Sequence, residues 1–189
     1  MGHQSSSTTV VVIGNQAPRA IRSVEGLTNV DAASLAGAPE EEAVHWTRRA
    51  HATYLVHDWD PLGHVANSWV EFFEDESTFE VLELEIDRTV SALGSGSIAV
   101  PDYYVVVEPE ALERTWKHWW LGVLPGASPT RVIPWNDPDE SLAKLLRRLP
   151  TGRPWPESGP WLRGLRTAVP DRVGLPNVAS TGDEASPAA

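Results

Sequence analysis

The chain contains no cysteine. Disulfide frameworks, thiolate zinc sites and cysteine nucleophiles are therefore excluded. It also lacks a long apolar run, and nothing approaches the roughly 18 apolar residues that a membrane span needs. Residues 1–9 are polar, with neither the basic segment nor the apolar core of a secretory signal. These absences make a cytoplasmic location and no membrane partner the expectation. Bases are scarce: 15 Lys and Arg stand against 26 Asp and Glu, for a net charge of −11. That balance argues against nucleic acid as a partner, because counterion release needs clustered bases. No serine sits in a G-x-S-x-G elbow. Gly14-Asn15-Gln16 follows an apolar run but completes neither phosphate-loop pattern, G-x-G-x-x-G or G-x-x-x-x-G-K-[ST].

What is present suits one folded domain. The 189 residues are 41% apolar, enough for a core. Nine are tryptophan, each able to bury a large area and each with an N–H that wants a partner when buried. Charge is spread unevenly. Residues 71–88 hold eight acids and one base, and residues 144–172 hold seven bases and two acids. Such blocks are either solvated faces or, for the acidic one, a surface that steers a basic partner.

The clearest stretch, residues 98–149, reads strand, helix, strand, helix. Ile98, Val100 and residues 103–107 form a short run apolar on both faces, as a doubly buried strand requires. Glu108-Pro109-Glu110 reads as a helix start, with proline early and acids in the first turn. Leu112, Trp116, Trp119, Trp120 and Val123 share one helical face, with Gly122 or Pro125-Gly126 as the stop. Residues 130–134 read as the next strand. Asn136 or Asp137, before Pro138, would cap a helix striped by Leu142, Leu145, Leu146 and Leu149.

Upstream, residues 9–13 and 54–59 are strand candidates. Glu40 to Glu42 and Arg48-Arg49 complement the dipole of a helix opened by Pro39. Asp60-Pro61 caps another, with Val65, Trp69, Phe72 and Phe73 on one face. Residues 18–39 suggest only a weak helix or an irregular segment. Residues 77–93 carry a helical repeat behind a Ser77/Glu80 capping box, and also a strand-like alternation over residues 82–87; helix is favoured. Strands alternating with helices of this length indicate parallel βαβ units. The expected fold is a three-layer α/β domain, with a mostly parallel sheet of four or five strands and helices on both faces. Its expected division is a flexible N-terminus (1–8), the α/β domain (9–149), a Pro/Trp-rich arm packed on it (150–177) and a disordered tail (178–189).

Several constellations are chemically suggestive. His57, Asp58, Asp60 and His64 follow a strand and precede a helix, where two imidazoles and two carboxylates are able to hold a divalent metal. Against this, Asp60 is explained as an N-cap, and His57 and Asp58 alternate across a strand. Glu108 falls at the carboxyl end of the central strand, beside the crevice where open α/β sheets bind ligands, and Glu113 follows. Their alternative role is complementing a helix N-terminus. Trp155, Trp161 and the acidic trio Glu74, Asp75 and Glu76 are the candidate interaction residues.

Residues 102–116, a Tyr-Tyr-Val-Val-Val strand entering a Trp-bearing helix, resemble a late strand and helix of TIR and SEFIR-like domains. Residues 130–135, with their Ile-Pro, resemble that family's next strand. The likeness spans about residues 53–149. It implies a flavodoxin-like sheet, self-association and, in some members, NAD cleavage. The family's catalytic glutamate lies a few residues after the helix Trp. Those positions here are Lys117, His118, Trp119 and Trp120, so no catalytic residue carries over.

The sequence is best read as an acidic protein-interaction or signalling module, of defence or immunity type, with no cofactor. Its expected partner is a protein with a basic surface, and a homo-oligomer is also open. The rival readings are a nucleotide- or NAD-cleaving enzyme near Glu108 and a metal hydrolase built on His57, Asp58, Asp60 and His64.

Overall fold

A computed structural model describes residues 7–49, 51–136, 141–151 and 154–168. Among these residues five strands form one all-parallel sheet: β1 (Thr8–Ile13), β2 (Val30–Ala33), β3 (Tyr54–His57), β4 (Tyr103–Val107) and β5 (Val132–Trp135). Their order is β2-β3-β1-β4-β5, which differs from the flavodoxin-like order 2-1-3-4-5. Val10, Val11 and Val12 of β1 and all of β4 are buried, as strands covered on both sides must be.

Helices cover both faces, giving the three-layer α/β architecture. They are α1 (Ala17–Arg22), α2 (Glu40–Arg49), α3 (Gly63–Phe73), α4 (Phe79–Gly94), α5 (Arg114–His118), α6 (Leu124–Ala127), α7 (Leu142–Leu146) and α8 (Ser158–Gly164). The crossover from β1 to β2 runs one way along the sheet, and the later crossovers run the other way. Right-handed connections therefore set α1 on one face and the helices after β2, β3 and β4 on the opposite face. The core divides accordingly. Val10, Val12, Tyr103, Val105 and Val107 meet α1 and α7. Val11, Tyr104 and Val106 meet α3, α4, the α5–α6 stretch and α8.

Several local details depart from expectation. β2 lies within the segment read as weak helix or irregular; Val30-Asp31-Ala32-Ala33 has little β preference and is held as an edge strand by pairing with β3. Ile98 and Val100 precede β4 rather than joining it. Glu108-Pro109 starts only a single 3₁₀ turn (Pro109–Ala111), and α5 begins five residues later. The Trp-bearing helix does not stop at Gly122 or at Pro125. It continues to Ala127 through a π-helical turn over Trp119–Val123. The ring of Pro125 would meet the carbonyl of Leu121 in an α-helix, and the wider turn just before it accommodates the ring. Ser141, not Asn136, caps α7, its hydroxyl accepting from the Lys144 N–H; Asp137 and Pro138 lie outside the described residues.

The favoured helix is present as α4, Phe79–Gly94, but its N-cap is Thr78 rather than Ser77, and the Thr78 side chain makes no cap bond. β1 takes in Thr8, whose N–H donates to Thr53, so order begins before residue 9. The arm, read as irregular, contains α8 and a 3₁₀ turn (Leu165–Thr167), both packed on the main core through Leu162 and Leu165. The expected tail, residues 178–189, lies outside the described residues.

Candidate functional site

β1 sends its chain to one face of the sheet, whereas its neighbours β3 and β4 send theirs to the other. The carboxyl end of β1 is thus a topological switch point on both flanks, the place where open α/β sheets form a ligand crevice. Three loops meet there: Gly14-Asn15-Gln16, residues 58–62 and Val107-Glu108. Gly14 has φ +116°, and a Cβ on it would lie 2.5 Å from the Val107 carbonyl oxygen. Glycine is what lets the β1 loop pass against the end of β4.

Glu108 has left-handed backbone angles, φ 49° and ψ 55°. For a residue with a Cβ that conformation costs about 1–2 kcal/mol. It is imposed from both sides. The Glu108 N–H donates to the Trp135 carbonyl (3.0 Å), extending the pairing with β5, while its carbonyl accepts from Ala111 (2.9 Å) to close the 3₁₀ turn. The side chain is exposed, and its carboxylate makes no ion pair or hydrogen bond among the described residues.

Four residues earlier, on β4, is a buried polar pair. Tyr104 and Asp60 are 44 residues apart, yet the Tyr104 hydroxyl donates to Asp60 Oδ1 at 2.7 Å. The same oxygen accepts from the Leu62 N–H (2.9 Å), so Asp60 caps the turn that leads into α3. Asp60 as a residue is half-buried, but its carboxyl is enclosed and Oδ2 has no partner among the described residues. Burial raises its pKa from 3.8 to about 6, against the lowering effects of Leu62, Tyr104 and His64. Burial and the adjacent Asp60 carboxyl push the Tyr104 phenol well above its usual value.

His57 shares a face and a row with Val11 and Tyr104, because parallel register aligns all three. It is buried, with Trp46 edge-on at 5.7 Å and Trp59 tilted at 6.3 Å between ring centroids. Neither imidazole nitrogen makes a hydrogen bond of normal geometry among the described residues. Burial lowers its pKa from 6.5 to about 4, offset in part by Asp58 and the Trp59 backbone.

The four metal candidates do not converge. His57 sits against Trp46. Asp58 points to the β2 side, accepting from Ser34 Oγ (2.6 Å), Leu35 N (2.5 Å) and Ala36 N (2.9 Å). Asp60 turns to Tyr104, and His64 lies on the surface 3.8 Å from Glu40. Among the described residues no group of three or more His, Asp or Glu side chains is placed to hold a metal ion. Glu113 is exposed just before α5, where its backbone carbonyl accepts from Lys117, and the Lys117 ammonium reaches Glu110 instead. Glu74, Asp75 and Glu76 form an exposed turn after α3, with Asp75 also left-handed (φ 58°). Trp155 and Trp161 are half-buried and stacked on each other. Trp46 and Tyr104 are not singled out from sequence, and Gly14 is weighed there only as part of an incomplete phosphate loop. A tyrosine pair opening a Val-rich strand was the one available signal for Tyr104.

Comparison with family models, curated proteins and solved structures finds no match for this chain.

Proposed function

We propose that this chain is an acidic recognition module, a protein-interaction or signalling domain of the kind used in defence or immunity, which meets a basic partner protein. Glu108 carries the reading. An exposed carboxylate, without an in-chain base among the described residues, is held at the switch-point crevice in a conformation that glutamate avoids. Strain retained at an exposed acid points to function, since a glycine there would fold more easily. The tryptophans support the same division of labour. Trp69, Trp119 and Trp120 are spent in the core, which leaves recognition to the charged exterior. The absence of cysteine suits a cytoplasmic setting, and among the described residues no helix is long and apolar enough to cross a membrane.

The test is co-purification from the native cell with three baits: wild type, Glu108→Lys, and a triple lysine variant at Glu74, Asp75 and Glu76. A partner held by wild type at low salt, and lost from the Glu108 variant, is the expected result. Identical capture by all three would remove the reading.

A second reading places an enzyme acting on a nucleotide or NAD at the same crevice. The observation in its favour is Asp60, an enclosed carboxyl shifted into the range useful for proton transfer. Nicotinamide release from NAD that disappears in Glu108→Gln or Asp60→Asn would replace the binding account with this one.

A further inference from the structure

The acidic block and the basic block of the sequence meet each other in the fold. Arg166 Nη1 lies 3.1 Å from Glu83 Oε1, and Arg163 Nε lies 4.0 Å from Asp87 Oδ1. Both acids are on α4 and both bases follow the start of α8. On the inner side of this segment, Leu162 and Leu165 are buried in the main core. Trp155 donates its indole N–H to the Pro101 carbonyl (2.7 Å), meets Tyr104 edge-on at 6.1 Å and stacks on Trp161 at 6.3 Å. Residues 154–168 therefore form a basic amphipathic strap laid along α4.

The strap is a weak ligand for the surface it covers. Its helix has seven residues, too few to be stable alone, and three of them are Gly159, Pro160 and Gly164. Its ion pairs are partly exposed and open to screening by salt. A Cβ at Gly159 would lie 3.9 Å from Val90 and 3.3 Å from Arg163 Nη1, so that flexible guanidinium must shift by a few tenths of an ångström, and nothing within 4 Å opposes a Cβ at Gly164. A helix without these breakers would make the same contacts with less loss of chain entropy. Tethering offsets this weakness by holding the strap at high effective concentration.

We propose that the strap is an in-chain occupant of a helix-binding groove on α4, and that the partner is a basic amphipathic helix with Trp and Leu anchors that displaces it. The proposal rests only on the general reading of an acidic protein that meets a basic partner, and it adds a site on α4 separate from the Glu108 strand end. Release of the strap frees Glu83 and Asp87 from their ion pairs and uncovers half-buried Val90 beside them, acids next to an apolar floor, which is what such a helix complements.

The test uses the full chain and a labelled peptide of residues 154–168 carrying Gly159→Ala and Gly164→Ala. In the Arg163→Glu/Arg166→Glu chain, amide exchange over residues 158–167 should rise at least tenfold while β1 and β4 amides keep their protection. The peptide should bind that chain at least tenfold tighter than wild type. Adding Glu83→Arg and Asp87→Arg should restore slow exchange and abolish peptide binding. Leu162→Glu provides a second release through the buried anchor. Equal peptide affinity for wild type and variant overturns the proposal. So does a sheet that loses protection together with the strap in Leu162→Glu, because the strap would then be part of the folding core. Concentration-dependent dimerisation of the released chain assigns the groove to a second copy's strap and overturns the separate partner. Glu108→Lys leaves the peptide result untouched, so failure of the strand-end reading and failure of the groove are told apart.

Discussion

His57 and Asp60 should oppose each other in the pH dependence of stability. Asp60 moves from 3.8 to about 6 on folding, so the native state favours its protonated form. Its stabilising contribution is complete below pH 3.8 and is lost as pH rises through about 6. His57 moves from 6.5 to about 4, so the native state favours the neutral imidazole. Its contribution is complete above pH 6.5 and is lost as pH falls toward 4. At about 1.4 kcal/mol per pKa unit, each group is responsible for roughly 3 kcal/mol. The two windows overlap and the signs are opposite, so in wild type these two slopes nearly cancel.

Single substitutions should uncover them. Urea unfolding of wild type, Asp60→Asn and His57→Gln at half-unit steps from pH 4 to 7.5 is the assay. Asp60→Asn should gain on wild type by up to about 3 kcal/mol as pH rises across the window, because the penalty of ionising a buried carboxyl is gone. His57→Gln should gain by a similar amount as pH falls across it. Differences from wild type that stay flat with pH would show that neither group is enclosed as described, and the candidate acid at the crevice would lose its basis.

Trp119→Ala removes a fully buried indole that meets Trp69 at 5.6 Å, and it should cost about 3–5 kcal/mol in denaturant unfolding. Glu108→Gly should stabilise by about 0.5–1 kcal/mol, because glycine accepts φ 49° without strain; calorimetry should show the melting temperature rise by about 2 °C. Asp58→Ala leaves the Leu35 and Ala36 N–H groups and the Ser34 hydroxyl without their acceptor, and it should cost about 2 kcal/mol with the loss confined to β2 in amide exchange.

Much of the fold was legible because its signals are local. The apolar runs of β1, β3 and β4 and the apolar stripe of α3 declare themselves by period alone, as does the Trp face that places Trp119 and Trp120 in the core, whereas α4 carries both a helical and a strand-like period. Alternation of strands and helices then implied a parallel sheet. β2 escaped notice because Asp31, Ala32 and Ala33 carry no strand preference, and pairing with β3 supplies what composition lacks. The helix after β4 was read too early and ended too soon, since a proline and a glycine that look like stops are tolerated when a π turn and core packing hold them.

The candidate site was legible only as a neighbourhood. Sequence by itself placed Glu108 at a strand end and Asp60 at a helix start, because capping and strand termination are short-range events. Tertiary structure alone decided that Tyr104 reaches Asp60, that Gly14 passes under Val107, that Glu108 is left-handed and that Arg163 and Arg166 of the basic block reach Asp87 and Glu83 of the acidic one. Each of these depends on strand order and register, which parallel pairing fixes between residues far apart in the chain. No local pattern encodes such choices, and burial free energy summed over the whole core selects them.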